Sequence, residues 1–167
     1  ECLVGSEMCI RDSHGYLHED PIDAPDQRAW FEKALEAHHK YCGGTPSGYR
    51  APVYNINQEV LDLLVEHGFR YDSSMMADDI PYRLETKKGG LWEMPVHWGT
   101  DDWPPFAHYS EIGYMMPVAG PSTGLSGFWE EFDAAYEAGG FFMLIVHPFL
   151  TCRLARWKQV DEWMENT

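Results

Sequence analysis

The sequence predicts an α/β fold built on a parallel sheet or barrel, and two features lead to this prediction. Segments with strand patterns alternate with segments of helical periodicity, and glycines follow the helical segments. One strand-length segment, Phe141 to Val146, is apolar throughout, which is typical of a strand buried on both faces of a parallel sheet. No internal repeat or linker divides the chain.

The first half of the sequence contains two helical and three strand patterns. A helix is predicted over residues 25–41, with Gly43 and Gly44 ending it. A second helix is predicted to begin at Asn57, whose side chain can cap it, and to end at Gly68. Strands are predicted at residues 49–53, 69–72 and 91–98, and Pro95 should interrupt or end the last of them.

The second half continues the alternation. Ser126 can cap a helix that ends at Gly139, and the buried strand Phe141–Val146 follows it. Apolar residues at helical spacing then predict a last helix over residues 153–166. A complete (β/α) barrel needs about 250 residues. The 167 residues therefore predict an incomplete barrel that lacks its first strands.

The N-terminal residues 1–13 are expected to be foreign to the fold. The segment from Met8 to Ser13 matches the translation of a transposase end sequence used in sequencing libraries, although the same residues would also permit a genuine strand and turn. The domain is therefore predicted to cover residues 14–167 as a C-terminal part, with natural sequence expected upstream.

Composition excludes some classes of partner. With 27 acidic against 12 basic residues the net charge is −15, which disfavours nucleic acids and anionic membranes as partners. The longest apolar run is far shorter than the roughly 20 residues that span a bilayer. Four cysteines without a CxxC pair favour a reducing, cytoplasmic compartment. An exposed sheet edge would also allow homo-oligomers to form.

Two histidines four residues apart are candidate metal ligands. His14 and His18 would share one side of a helical turn and could coordinate one metal ion, but a catalytic zinc site usually has a third protein ligand. Taken alone, the spacing favours coincidence, because the chain has eight histidines.

Candidate polar residues also follow the predicted strands. Arg50 could fix a carboxylate through a bidentate pair, or be an ordinary surface arginine. Asp72, Asp78 and Asp79 belong to a polar loop region of the kind that carries active sites, although local turn capping explains any one of them equally well.

His147 comes directly after the buried apolar run, at the predicted carboxyl end of a parallel strand. Barrel enzymes keep their acids and bases at this end. A histidine has an unperturbed pKa near 6.5 and suits proton donation to a leaving nitrogen. The alternative is a core histidine bonded to the backbone.

In this order, the segments HGYLHE, GYRAP, YDSS with ADDIPY, WEMPVHWGTDDWPPF and LIVHPF resemble successive motifs of the polysaccharide deacetylase superfamily. This is the NodB-homology superfamily, or carbohydrate esterase family 4. The similarity is strongest to its peptidoglycan-deacetylase-like and allantoinase-like branch, and it spans His14 to about Trp157.

The resemblance implies a TIM-like barrel and metal-dependent hydrolysis of an amide-type C–N bond. It implies that His14 and His18 bind a divalent metal, with zinc expected, that Arg50 orients a catalytic aspartate, and that His147 is the general acid. Asp72, Asp78, Asp79, Tyr82 and Trp103 would border the substrate pocket. The family's opening motif supplies an aspartate base and the third metal ligand, and nothing in this sequence matches it, so these residues alone are expected to be inactive.

The substrate and the class of function stay open at this point. The resemblance favours deacetylation of N-acetyl sugars in polysaccharide or peptidoglycan, with a cyclic imide or ureide as the alternative small amide substrate. Two hypotheses come from other classes of function. One is a module that binds carbohydrate without catalysis, and the other is a metagenomic fragment without independent function.

Overall fold

The computed structural model describes residues 12–167, so most of the predicted foreign segment, residues 1–11, lies outside the described residues. The chain divides into two compact units, Glu1–Pro95 and Val96–Thr167. Each unit has its own hydrophobic core. Among the described residues, no helix has both the length and the apolar character needed to cross a membrane.

The first unit is a four-stranded sheet with two helices. The strands are β1 Gly48–Tyr49, β2 Tyr71–Asp72, β3 Tyr82–Thr86 and β4 Gly89–Glu93, in the spatial order β1-β2-β4-β3. The first three strands of that order are parallel, and β3 pairs antiparallel with β4. The predicted α/β class with a largely parallel sheet is confirmed. The predicted polar loop ends at Tyr82, where the antiparallel strand β3 begins, and this strand was not predicted.

Helices α1 Gln27–Cys42 and α2 Gln58–Glu66 form where the sequence predicted them. Asp26 and Asn57 cap them by accepting hydrogen bonds from the amides of Ala29 and Val60. The left-handed Gly43 follows α1 directly. The core of the unit is formed by Phe31, Leu35, Tyr49, Ala51, Val60, Leu61, Leu63, Leu64, Phe69 and Leu91.

The second unit is mainly helical. Its helices are α3 Trp103–Phe106, α4 Pro121–Ala138, α5 Pro148–Thr151 and α6 Leu154–Asn166. The prediction of a helix beginning at Ser126 was wrong by more than one turn, because Pro121 starts the helix at its first position, where no amide hydrogen is needed. The predicted end at Gly139 and the predicted last helix are confirmed.

The apolar run Phe141–Val146 does not form the predicted strand. It makes a single parallel bridge, in which Ile145 donates to the carbonyl of Thr100 and accepts from the amide of Asp102. Burial on both faces was also wrong, since Phe141 to Leu144 are partly exposed and Val146 is 37% exposed. Regular pairing requires a ladder along the segment, and the described residues supply one bridge.

The N-cap of α2 gives a test of this fold. Asn57→Ala removes the acceptor of the Val60 amide, so we expect the free energy of unfolding to fall by about 1 kcal/mol. Urea titration followed by circular dichroism measures the change. Asn57→Asp keeps an acceptor and serves as the matched control, and equal losses in both variants would contradict the capping role.

Candidate active-site groups

A loop in the first unit brings His14 and His18 together. Their rings lie edge to face with centroids 4.9 Å apart. The predicted helical turn was wrong, because Gly15 and His18 both have positive φ angles, 78° and 59°, which no right-handed helix allows. The Glu19 carboxylate accepts the amide hydrogens of Tyr16 and Leu17 and so fixes this loop.

His14 is held in an orientation that suits a metal ligand. Its Nδ1 lies 2.7 Å from the carbonyl oxygen of Arg50, so Nδ1 is the donor and Nε2 carries the lone pair in the neutral ring. Metal-binding histidines usually donate their second ring nitrogen in this way. Within residues 12–167, no third imidazole, thiolate or carboxylate joins His14 and His18 at ligand spacing.

Arg50 is braced by the turn that follows β2. Its Nε donates to the carbonyl of Ser73 at 2.9 Å, and Nη2 donates to the Ser73 hydroxyl at 2.6 Å. The Ser73 hydroxyl donates in turn to the carbonyl of Met94 at 2.8 Å. The guanidinium is therefore fixed in direction, while the aspartate that the sequence resemblance assigns to it has no counterpart in these contacts.

The pocket residues predicted in the first unit differ in exposure and in local contacts. Asp72 is fully buried, and its carboxylate accepts from the amide and hydroxyl of Ser74. Asp78 and Asp79 are exposed, and the amide of Asp79 donates to Asp78 at 2.8 Å, which is the local turn contact considered as the alternative. Tyr82 has a buried hydroxyl without a hydrogen-bond partner among the described residues.

The second unit holds a hydrogen-bonded pair of Asp102 and His147. The His147 Nδ1 lies 2.6 Å from Asp102 Oδ1, and the His147 amide donates to Oδ2 at 2.9 Å. The Thr151 hydroxyl also donates to Oδ2. Asp102 is fully buried, whereas the His147 side chain is 31% exposed. The carboxylate thus fixes the ring and leaves one edge accessible.

Backbone pairing creates this arrangement. The bridge between Asp101 and Ile145 brings residues 101–102 beside the segment that ends at His147. Pro148 then starts α5, which places Thr151 one turn later, under the same carboxylate. Asp101 and Asp102 were not predicted as site residues. The available signal was a pair of acids directly before Trp103, three residues after the predicted strand 91–98.

Aromatic side chains flank the histidine. The Trp103 and Phe149 rings lie 5.5 Å and 5.7 Å from the His147 ring, centroid to centroid, both edge to face. Trp103 also contacts Phe149 and Tyr114. The predicted pocket residue Trp103 therefore lies against the predicted acid His147, with the exposed face of Phe149 beside them.

Asp101, Asp102 and His147 also have the composition of a metal site, since their ligand atoms lie within 4.8 Å of one another. The hydrogen bonds argue against this use. Asp102 already accepts from three donors, and Asp101 Oδ1 accepts from the Trp103 amide at 2.7 Å. A carboxylate that holds the Nδ1 of a histidine in this way typically sets the tautomer of an acid–base group.

Curated relatives cover most of this chain. It is 28% identical over 170 residues to the peptidoglycan deacetylase of Helicobacter pylori, a match that spans 84% of the chain and 58% of the relative. It is 28% identical over 178 residues to the peptidoglycan deacetylase-like protein FGM2 of Gibberella zeae, spanning 86% and 52%. The chain thus covers little more than half the length of these relatives. No family model matches it.

Solved structures share the fold. A Mycobacterium smegmatis crystal structure assigned to the polysaccharide deacetylases superimposes with a TM-score of 0.85 at 34% identity, over 93% of this chain and 55% of that one. A Pseudomonas aeruginosa structure with the same assignment gives a TM-score of 0.74, and Puue allantoinase gives 0.75. Both are 21% identical, cover 93% of this chain, and span 52% and 51% of their own lengths.

The Asp102 contact predicts the tautomer of His147. Because the buried carboxylate accepts from Nδ1, the neutral ring should carry its hydrogen on Nδ1. Nitrogen-15 NMR of labelled histidine measures this. Asp102→Asn should lose the preference, and Thr151→Ser, which keeps the hydroxyl, should retain it. A neutral ring protonated on Nε2 in the unaltered protein would contradict the assignment.

Proposed function

The chain belongs to the polysaccharide deacetylase superfamily, and from this we propose that the protein is a metal-dependent hydrolase that removes acetyl groups from N-acetyl sugars in peptidoglycan or a related polysaccharide. The observation that carries the proposal is the Asp102–His147 pair, a partly exposed imidazole fixed by a buried carboxylate beside aromatic rings.

Hydrolysis of an acetamide adds water to the carbonyl carbon and then breaks the C–N bond. The departing amine needs a proton as the bond breaks, and a positioned imidazole supplies it well near neutral pH. In our proposal Nε2 of His147 gives this proton, while Asp102 keeps Nδ1 hydrogen-bonded and stabilises the positive charge of the protonated ring.

We assign the metal to His14 and His18. Two imidazoles suit zinc, and because the His14 Nδ1 contacts the Arg50 carbonyl, Nε2 is the nitrogen that would bind the ion. A bound divalent ion would polarise the acetyl carbonyl and acidify the attacking water. In our proposal Arg50 would orient the carboxylate base that the sequence resemblance assigns to it.

The aromatic surface around His147 fits a sugar. Trp103 and Phe149 present apolar rings beside the acid, and faces of this kind pack against the C–H faces of pyranose rings. The net charge of −15 disfavours polyanionic polymers, so an uncharged N-acetyl sugar chain is the preferred substrate.

A cyclic ureide is the second candidate substrate, because the fold is shared with an allantoinase. Both reactions break an amide-type C–N bond, so the choice between the two substrates is made by experiment. Incubating the intact protein with N-acetylglucosamine oligomers and, separately, with allantoin, and measuring free amine or ring opening, distinguishes them.

We expect activity to depend on His14 and a divalent metal. Chelation should abolish hydrolysis, and zinc should restore it. His14→Ala should lower the bound metal per protein and the activity together, because one of the two described ligands is lost. His39→Ala removes an exposed imidazole of α1 and is the matched control. Full activity in chelator, with no metal by elemental analysis, would refute the mechanism.

His147→Ala should lower kcat by roughly 10² to 10⁴, the usual contribution of general acid–base catalysis. Asp102→Asn should also lower kcat, because the amide can present a donor to the His147 Nδ1 and disturb the tautomer of the ring. His108→Ala, at an exposed histidine of the same unit, is the control. An unchanged rate in His147→Ala would remove this residue from the reaction.

A further inference from the structure

Two buried carboxyl groups lie next to each other in the first unit. Asp72 and Glu93 are directly opposite residues of the parallel pair β2 and β4, and both are fully buried. Burying an ionised carboxylate is costly unless donors or a cation compensate it, and burying two adjacent charges is worse. The pair therefore needs a physical explanation.

The available donors satisfy only part of the pair. Glu93 Oε1 accepts the amides of Ser74 at 3.0 Å and Met75 at 2.9 Å, and Asp72 accepts the amide and hydroxyl of Ser74. Glu93 Oε2 receives no donor from the described residues. The one amide of Ser74 lies 3.1 Å from Asp72 Oδ2 and 3.0 Å from Glu93 Oε1, which brings the two carboxyl groups together. Two acceptors bond to each other only through a proton.

We propose that Asp72 and Glu93 share one proton and, as one hydrogen-bonded unit, position Arg50. The role of Arg50 in catalysis rests on the proposed function, whereas the shared proton does not.

The route from the pair to Arg50 is short. The pair holds the amides of Ser74 and Met75, which form the turn after β2. The Ser74 hydroxyl accepts from the amide of Ala51 at 2.9 Å, and Ser73 accepts both guanidinium contacts of Arg50. A shift of this turn would therefore move the Arg50 guanidinium and the backbone of Ala51 together.

The raised pKa values of Asp72 and Glu93 agree with a proton retained on the pair. Burial, followed by the charge of Glu93, raises the pKa of Asp72 well above its ordinary value. Burial also raises the pKa of Glu93, against the opposing effect of its contact with Asp72. The groups that face the pair are Arg50, whose charge lowers the pKa of Glu93, and the phenols of Tyr49 on β1 and Tyr82 on β3.

The direction of the pH effect follows from these shifts. Both groups hold protons more tightly in the folded than in the unfolded chain, so their contribution to stability is complete below the ordinary pKa values near 4. This contribution to stability is lost as the pH rises through the raised pKa values of the folded protein. When the shared proton leaves, two adjacent buried charges repel each other, and the turn that holds Arg50 is weakened.

Infrared difference spectroscopy of the intact protein tests the proton directly. At neutral pH we expect the C=O stretch of a protonated, buried carboxylic acid. Glu93→Gln should remove this band, because the amide replaces the shared proton as a donor to Asp72. Glu85→Gln, at an exposed carboxylate of β3, should leave it unchanged. Absence of the band in the unaltered protein would overturn the proposal, whatever the enzymatic activity.

The positioning of Arg50 is tested by kinetics and by NMR. Glu93→Gln should keep kcat at neutral pH and abolish its fall at the alkaline pH where the infrared band disappears. Glu93→Leu should lower kcat by about 10², the cost of a misplacement near 1 Å. The Arg50 Nε–H should exchange slowly with solvent in the unaltered protein and in Glu93→Gln, and faster in Glu93→Leu.

These outcomes separate the two proposals. If the intact protein hydrolyses no N-acetyl sugar, the proposed function fails, and the infrared band and Arg50 exchange still decide the inference. If the band is present but Arg50 exchange is the same across the variants, the positioning role is overturned. If Glu93→Leu does not fold, Glu93→Gln decides alone. A kcat that no longer falls at alkaline pH supports the positioning role, and an unchanged fall refutes it.

Discussion

The need to satisfy buried carboxylates determines how the functional groups of this protein are held. Asp102 accepts hydrogen bonds from the amide and ring of His147 and from the Thr151 hydroxyl. Asp72 and Glu93 both accept a hydrogen bond from the amide of Ser74. An unsatisfied charge in these positions would cost several kcal/mol. The donors are therefore fixed in place. His147 is itself one of them, and Ser74 lies in the turn that contacts Arg50.

Much of the local structure of the first unit could be predicted because it depends on neighbouring residues. Asn57 caps α2, and Gly43 ends α1 with a positive φ that favours glycine. The strand prediction for Phe141–Val146 was wrong for the opposite reason. An apolar run does not specify a pairing partner, and strand formation depends on a partner distant in sequence, here reduced to the bridge at Ile145.

The site could be predicted only where a residue type is informative by itself. His14 and His18 were selected by their four-residue spacing, His147 by its place after the apolar run, and all three by the family resemblance. The structure gives each a defined environment. Aspartates are common in loops, and sequence does not distinguish a buried one from an exposed one. Asp102 was missed and Asp72 was assigned to a pocket for this same reason, although both are fully buried.

The contacts that orient the proposed residues join segments far apart in sequence. Arg50 is held by Ser73, 23 residues away, and His147 by Asp102, 45 residues away. Such contacts exist only while the unit that contains them is folded, since closing these loops costs entropy that packing must offset. The direction of Arg50 thus depends on the core around Leu64, and that of His147 on the core around Leu125, so a change in either core can affect catalysis without touching a reacting group.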